Sequence, residues 1–401
     1  MNFLVRGIKP IYNLGTVLIP ERIKRKTYPF LARIKRRYPF LKPIHYGFGP
    51  YTVRILHPVK EDRPVVVHAI ANFMLGGSSR LVVDLIERMG HLYDQKVITS
   101  CITDPPAYAG TDIREYRPSA PVSDIFHFLI ECRPRLLHIH YWGHIDEPWY
   151  RKIFEAAEHV GCRIIENINT PIEPYRCDSV AKYIYVSRYV QETFRCGSDE
   201  KSATIYPGSD FSLFRRNGGA AIPDDSIGMV YRLEMDKLNQ KSIEVFIKVA
   251  KRRPGTKIHI IGGGTYLNIY KKEVFFRGVS DAFTFTDYVP YQKLPSYYEK
   301  MSIFVAPVWK ESFGHVSPIA MHMGIPVVGY NVGALGEIIG NHDLLAPAGD
   351  SDRLATIIID LLNDRRKRLS IGEYNKKRAE DLFSVEAMIA KYGQLYDSLL
   401  T

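Results

Sequence analysis

Glu311 stands in Val308-Trp-Lys-Glu-Ser-Phe-Gly314-His315, directly after the apolar run Ser302-Ile-Phe-Val-Ala-Pro307. The order predicts a strand, a glycine-containing loop and a short helix before the next strand. In an open parallel sheet such a loop leaves the strand's carboxyl end, where ligands bind. A lone acid there is a site candidate, and His315 beside Gly314 would approach the same ligand. Arg232 and Lys237 follow a second run, Ile227-Gly-Met-Val-Tyr231. A guanidinium offers two parallel donors and an ammonium a flexible point charge, which together suit a diphosphate. Gly262-Gly263-Gly264 follows a third run, and Gly76-Gly77-Ser78-Ser79 follows the first one in the chain. Glycines admit close backbone approach, and free N–H groups hold phosphate or sugar oxygens. Three consecutive glycines at 262–264 are hard to justify by packing alone, since each costs backbone entropy. The chain has neither the GxGxxG nor the GxxxxGK[ST] spacing of the familiar nucleotide loops.

These loops need strands and helices to carry them, and the sequence alternates accordingly. Strands are predicted at 64–70, 95–100, 136–140, 162–165 and 181–187, with helices following 79, at 147–159 and from 188. Phe214–Asp225 is rich in turn formers and reads as a linker. The pattern then restarts with strands at 227–231, 257–262, 283–286, 302–306 and 325–330, interleaved with helices, and ends in a helical segment at 385–400. Alternation of this kind predicts an α/β fold with parallel sheets clothed by helices. Four regions result: a basic extension at 1–60, an α/β domain at 61–215, a second at 216–384, and a helix at 385–401 packing back across both.

The 401 residues exceed what one core usually supports, so two domains facing across a crevice are expected. No stretch approaches the length of a bilayer span, and the opening residues lack a signal-like pattern. Five cysteines form no close pair, which disfavours a disulfide set and suits a reducing, cytoplasmic setting. Charge is uneven: residues 1–60 hold 13 Lys or Arg against the single acid Glu21, so the rest of a chain of net charge +11 is almost neutral. The arm repeats Tyr-Pro-Phe-Leu at 28–31 and 38–41 between basic clusters. Basic and aromatic residues together suit an anionic membrane surface or lipid-linked partner more than nucleic acid. His138 and His140 share a strand face, but no nearby Cys or acidic third ligand completes a metal site, and none is expected.

With these residues in view, positions 64–400 resemble the retaining GT-B-type glycosyltransferases, the branch containing sucrose-phosphate synthase, glycogen synthase relatives and mannosyltransferases. Arg232-Leu233 with Lys237, Glu311-Ser-Phe-Gly314, Met321-His-Met-Gly324-Ile-Pro-Val-Val, Val186-Ser187, Ile205-Tyr-Pro-Gly208-Ser-Asp210, Glu337 and Asp350 fall in that family's order. The resemblance implies two Rossmann-like domains and transfer of a hexosyl or pentosyl group from a nucleotide-sugar to an acceptor hydroxyl, with no further cofactor. It assigns Arg232, Lys237 and Glu311 to catalysis, and Gly76, Gly77, Gly262, Gly263, Gly314, His315, Ile319 and Glu337 to the donor. Asn169, His140, Trp142 and His144 would line the acceptor side. Two positions depart from the pattern. Ile319 replaces the glutamate that binds the nucleotide ribose, and Asn169 replaces a histidine that touches the transferred sugar. A nucleotide-sugar epimerase of similar architecture, or a binding protein that has lost catalysis, are the competing readings.

Overall fold

The computed structural model describes residues 63–400, apart from 75, 103–107, 109, 144 and 216–222. The basic arm, His144 and most of the linker therefore lie outside the described residues.

Runs such as Val65-Val-Val-His-Ala-Ile70 are apolar without alternation, because a parallel strand is covered on both faces. Seven strands form the first sheet: β1 (Val65–Ile70), β2 (Asp94–Thr99), β3 (Asp112–Glu115), β4 (Leu136–Tyr141), β5 (Arg163–Ile168), β6 (Val180–Tyr185) and β7 (Ser202–Thr204). Their order is β3-β2-β1-β4-β5-β6-β7, and all neighbours pair in parallel. The crossovers include α1 (Gly77–Met89), α2 (Val122–Cys132), α3 (Glu147–Val160) and α4 (Arg188–Phe194). Helix α3 shows how local sequence sets its bounds. A proline occupies its first turn, and Gly161, in the left-handed region, ends it with its N–H on the carbonyl of Ala157.

The second sheet has the order β10-β9-β8-β11-β12-β13, again all parallel. Its strands are β8 (Ser226–Val230), β9 (Lys257–Ile261), β10 (Phe283–Thr286), β11 (Ile303–Ala306), β12 (Val327–Tyr330) and β13 (Leu345–Ala346). Between them run α5 (Glu244–Arg252), α6 (Leu267–Phe276), α7 (Pro295–Tyr298), α8 (Val316–His322), α9 (Leu335–Ile339) and α10 (Ser351–Asn363). Asp350 caps α10 by accepting the N–H of Arg353 at 2.9 Å, so its place in the motif order is met by a structural role. Helices α2 and α6, the two-residue β13, and two strands, β3 and β7, are absent from the sequence reading. The two strands are short sheet-edge segments with partly exposed side chains, and so lack an apolar run.

After α10 come α11 (Arg365–Phe383) and α12 (Val385–Leu400), joined at Ser384. The chain crosses between the halves here: Ser209 N–H reaches Phe383 O at 2.8 Å, and Val385 N–H reaches Ser209 O at 3.0 Å. Helix α12 buries Val385, Met388, Tyr392 and Tyr396 against Val66, Leu136, Ile165 and Ile184 of the first sheet. At roughly 1.5–3 kcal/mol for each large apolar side chain enclosed, this packing is a substantial fastening.

Candidate functional site

Neighbouring strands β8 and β11 deliver the charged loops to the same edge of the second sheet. There Lys237 Nζ donates to Glu311 Oε1. The Glu311 side chain is 1% exposed and that of Lys237 25%. Phe313 N–H adds a bond to the same carboxylate oxygen at 3.3 Å. Trp309 ties the loops together, its backbone N–H on Lys237 O at 3.1 Å and its indole N–H on Leu238 O at 2.9 Å. Gly314 completes the seat at φ 81°, where a Cβ would stand 2.4 Å from Glu311 Oε2. Only glycine lets the carboxylate lie against that turn. Arg232, partly exposed, forms an ion pair with Asp236 at 2.7 Å. Removing Lys237 would strand a buried carboxylate, a loss of about 3 kcal/mol, the lower end for such pairs because the lysine retains solvent contact.

The triple glycine has a packing explanation that the sequence did not reveal. At Gly262 a Cβ would fall 1.8 Å from Tyr231 O, and at Gly263 it would fall 2.0 Å from Asp287 Oδ1. Leu233 N–H donates to Gly263 O at 2.9 Å, and Gly262 N–H to Thr286 O at 2.8 Å. The loops after β8, β9 and β10 thus pack backbone to backbone, and bare glycines are what permit it.

Across the crevice, the first half presents Gly76 and Gly77 at the start of α1, both exposed. His315 reaches over to them: its Nε2 lies 3.6 Å from where a Cβ on Gly77 would be, and its Nδ1 is 3.0 Å from Ser209 Oγ. Burial, then the nearby Lys237 charge, lowers the His315 pKa to about 4, so the ring is neutral at physiological pH. Ser209, quoted only as part of a motif, is a functional neighbour that its position in the sequence did not expose.

Comparison with known proteins fits this geometry. Residues 212–378 match the family described as glycosyl transferases group 1. The Staphylococcus aureus capsular polysaccharide biosynthesis glycosyltransferase CapM is 29% identical over 177 residues, covering 43% of this chain and 46% of that protein. A 2-deoxystreptamine N-acetyl-D-glucosaminyltransferase of Streptomyces fradiae is 25% identical over 224 residues, 54% of this chain and 52% of that protein. The matched segment thus spans about half the length of these two relatives. The crystal structure of Anabaena HepE in complex with UDP and glucose superposes with a TM-score of 0.67 at 17% identity, over 84% of this chain and 100% of that one. The chain thus shares the GT-B fold of that structure, and residues 212–378 carry its likeness to glycosyl transferases group 1.

Several residues taken from the family pattern stand elsewhere in this GT-B chain. Glu337 on α9 is engaged by groups of the first half. Its carboxylate accepts the backbone N–H groups of Arg188 and Tyr189 at 2.9 and 3.0 Å and the hydroxyl of Tyr206 at 2.9 Å, so it straps the second half to the start of α4. Ser187 caps that same helix through the N–H of Val190. Ile319, 3% exposed, is enclosed within the second core.

His140 is a second correction. It is fully buried beneath the first sheet rather than lining the crevice. Parallel pairing sets His68 on β1 beside His138 on β4, and His140 follows on the same face. Gln95 Nε2 donates to Leu85 O, leaving its Oε1 to accept from His68 Nε2 at 2.9 Å. His68 Nδ1 then accepts from His140 Nε2 at 3.2 Å. His138 Nδ1 is 2.7 Å from the hydroxyl of Tyr396 on α12. Contrary to the sequence expectation, a third imidazole does join His138 and His140, one nitrogen of each lying within 4.8 Å of the others. Burial holds all three neutral, and the neighbouring imidazoles add to the effect on His138 and His140.

Trp142 and Asn169 directly follow the carboxyl ends of β4 and β5. The indole Nε1 and the amide Nδ2 are buried donors without an acceptor among the described residues, while Asn169 Oδ1 accepts from Asn167 Nδ2 at 2.5 Å. Thr170 Oγ1 beside them likewise has no partner among the described residues and was not read from the sequence. Buried donors are normally satisfied, so this edge has hydrogen-bonding capacity to give.

Proposed function

We propose that the chain transfers a sugar from a nucleotide diphosphate donor to an acceptor hydroxyl with retention at the anomeric carbon. The observation that carries this reading is the Lys237–Glu311 pair at the carboxyl ends of β8 and β11, with Arg232 in the same loop as Lys237 and His315 reaching to Gly77. Arg232 and Lys237 would neutralise the charge that grows on the departing diphosphate, a gain realised most in the transition state. Glu311 would then orient sugar hydroxyls. The bond from the anomeric carbon to the diphosphate oxygen breaks as the bond to the acceptor oxygen forms on the same face. The leaving diphosphate takes the acceptor proton, and no protein base is needed. The unpaired donors of Trp142 and Asn169 suit the oxygens of a sugar or its acceptor. UDP and glucose in HepE support a nucleotide-sugar donor. The arm at 1–60 would serve an anionic or lipid-linked acceptor, and no described helix is long and apolar enough to cross a membrane.

Product analysis with UDP-, GDP- and ADP-sugars tests the reading. Transfer that requires an acceptor, and that falls roughly 10²–10³-fold in a folded Arg232→Ala variant, is the expected result. Conversion of the donor sugar without an acceptor would instead establish epimerisation, and binding without turnover a lost activity.

A further inference from the structure

Helix α6 turns an unusual face to solvent. Phe275 and Phe276 are 70% and 78% exposed, more than any other large apolar residue among those described. They follow Lys271 and Lys272 by four residues, so each ring stands one helical turn beyond a lysine on the same stripe. Both lysines are exposed, and Asn268 lies between them on the helical wheel. Tyr270 and Val274 occupy the opposite side and are buried in the second core. The helix's one acid, Glu273, lies off the outward stripe and is paired with Arg277 at 2.9 Å. The outward stripe therefore presents two aromatic rings and two cations, with no negative charge.

We infer that this face of α6 docks on a lipid bilayer bearing anionic headgroups. The rings would enter the headgroup boundary while the lysines meet lipid phosphates, and the pairing of one lysine with each ring fits a flat interface rich in negative charge. An ordinary protein surface would give the rings a pocket but would have less use for two adjacent cations with no acid beside them on the stripe. Burying each ring is worth roughly tenfold or more in partition. This surface is distinct from the arm at 1–60 and rests on no part of the donor-site reading.

The test uses the full chain and vesicles of phosphatidylcholine, with and without phosphatidylglycerol. In a Phe276→Trp variant, emission at the new indole should shift to the blue on adding anionic vesicles and be quenched by brominated lipid, relative to the unsubstituted protein. Lys271→Gln with Lys272→Gln should lower partition by roughly 30-fold, from about 1 kcal/mol for each lysine near the surface. Phe275→Ser with Phe276→Ser should lower it as well, with unchanged melting and sugar transfer, because both rings are already in solvent. An unshifted, unquenched indole at vesicle concentrations that pellet the protein would overturn the proposal. So would sedimentation showing that the serine pair dissolves a dimer while vesicle binding stays as it was, since the face would then belong to a second copy of the chain.

Discussion

Glu337→Ala distinguishes a strap between the halves from a donor ligand. Its carboxylate accepts two backbone N–H groups at 2.9 and 3.0 Å and one tyrosine hydroxyl at 2.9 Å. Hydrogen bonds to a charged group contribute about 1.5–3 kcal/mol each, and the alanine would leave the buried Tyr206 hydroxyl unpaired. Glu337 is only half-buried, and water replaces part of what the backbone donors lose. A discounted total of about 2–3 kcal/mol follows. For a chain of this length that corresponds to a fall of about 2–4 °C in Tm. The companion Tyr206→Phe removes one bond and should cost about 1 kcal/mol. Burial, then the Glu337 charge, pushes the Tyr206 hydroxyl pKa up to about 12, so the bond persists through any ordinary assay pH. Differential scanning calorimetry of both variants and the double variant, with nucleotide affinity measured on each, supplies the readouts. The strap predicts lowered melting, a double variant less destabilised than the sum of the singles, and donor affinity within a few-fold of the parent. Unchanged melting together with donor binding weakened more than tenfold would refute it and return Glu337 to the donor site.

Gly314→Ala, at φ 81° with a Cβ 2.4 Å from Glu311 Oε2, should displace the carboxylate. Transfer is expected to fall at least tenfold and stability by about 1–2 kcal/mol, as read from kcat/KM and urea midpoints. Ile319→Glu, which would restore the family's ribose ligand on paper, should destabilise by about 3 kcal/mol or more because the site is 3% exposed. A variant with parental melting and tighter nucleotide binding would show that the side chain reaches the crevice. His68 has a folded pKa of about 4 against 6.5 for the free ring. Between those values the unfolded chain binds the extra proton, so the stability this histidine contributes is present above pH 6.5 and lost as pH falls towards 4. It amounts to about 3 kcal/mol. Urea unfolding of His68→Gln should accordingly be less pH-dependent than that of the parent across this window, and identical slopes would contradict the assignment.

The alternation of apolar runs with helical segments, written locally, was enough to place most core strands of both sheets and the loops that end them. Glu311, Arg232 and Lys237 were legible for the same reason: each directly follows a strand, and a parallel sheet gathers its strand ends on one edge. Segments that bury little were not legible. Strand β3, Asp-Ile-Arg-Glu, covers a sheet edge with alternately exposed side chains, and α11 buries few apolar residues along 19 positions.

What folding alone decided is partnership at long range. A period of two tells which residues of a strand share a face, and it correctly set His138 with His140. It does not tell which strand lies beside them, and the pairing of β1 with β4, past β2 and β3 in the chain, brought in His68 from 70 residues earlier. The same holds for Ser209 with His315, for Tyr396 with His138, and for Glu337 with the backbone of α4. In each case a polar group is buried by packing and takes whichever donor or acceptor the tertiary fold leaves within about 3 Å. Sequence spacing carries no record of that choice.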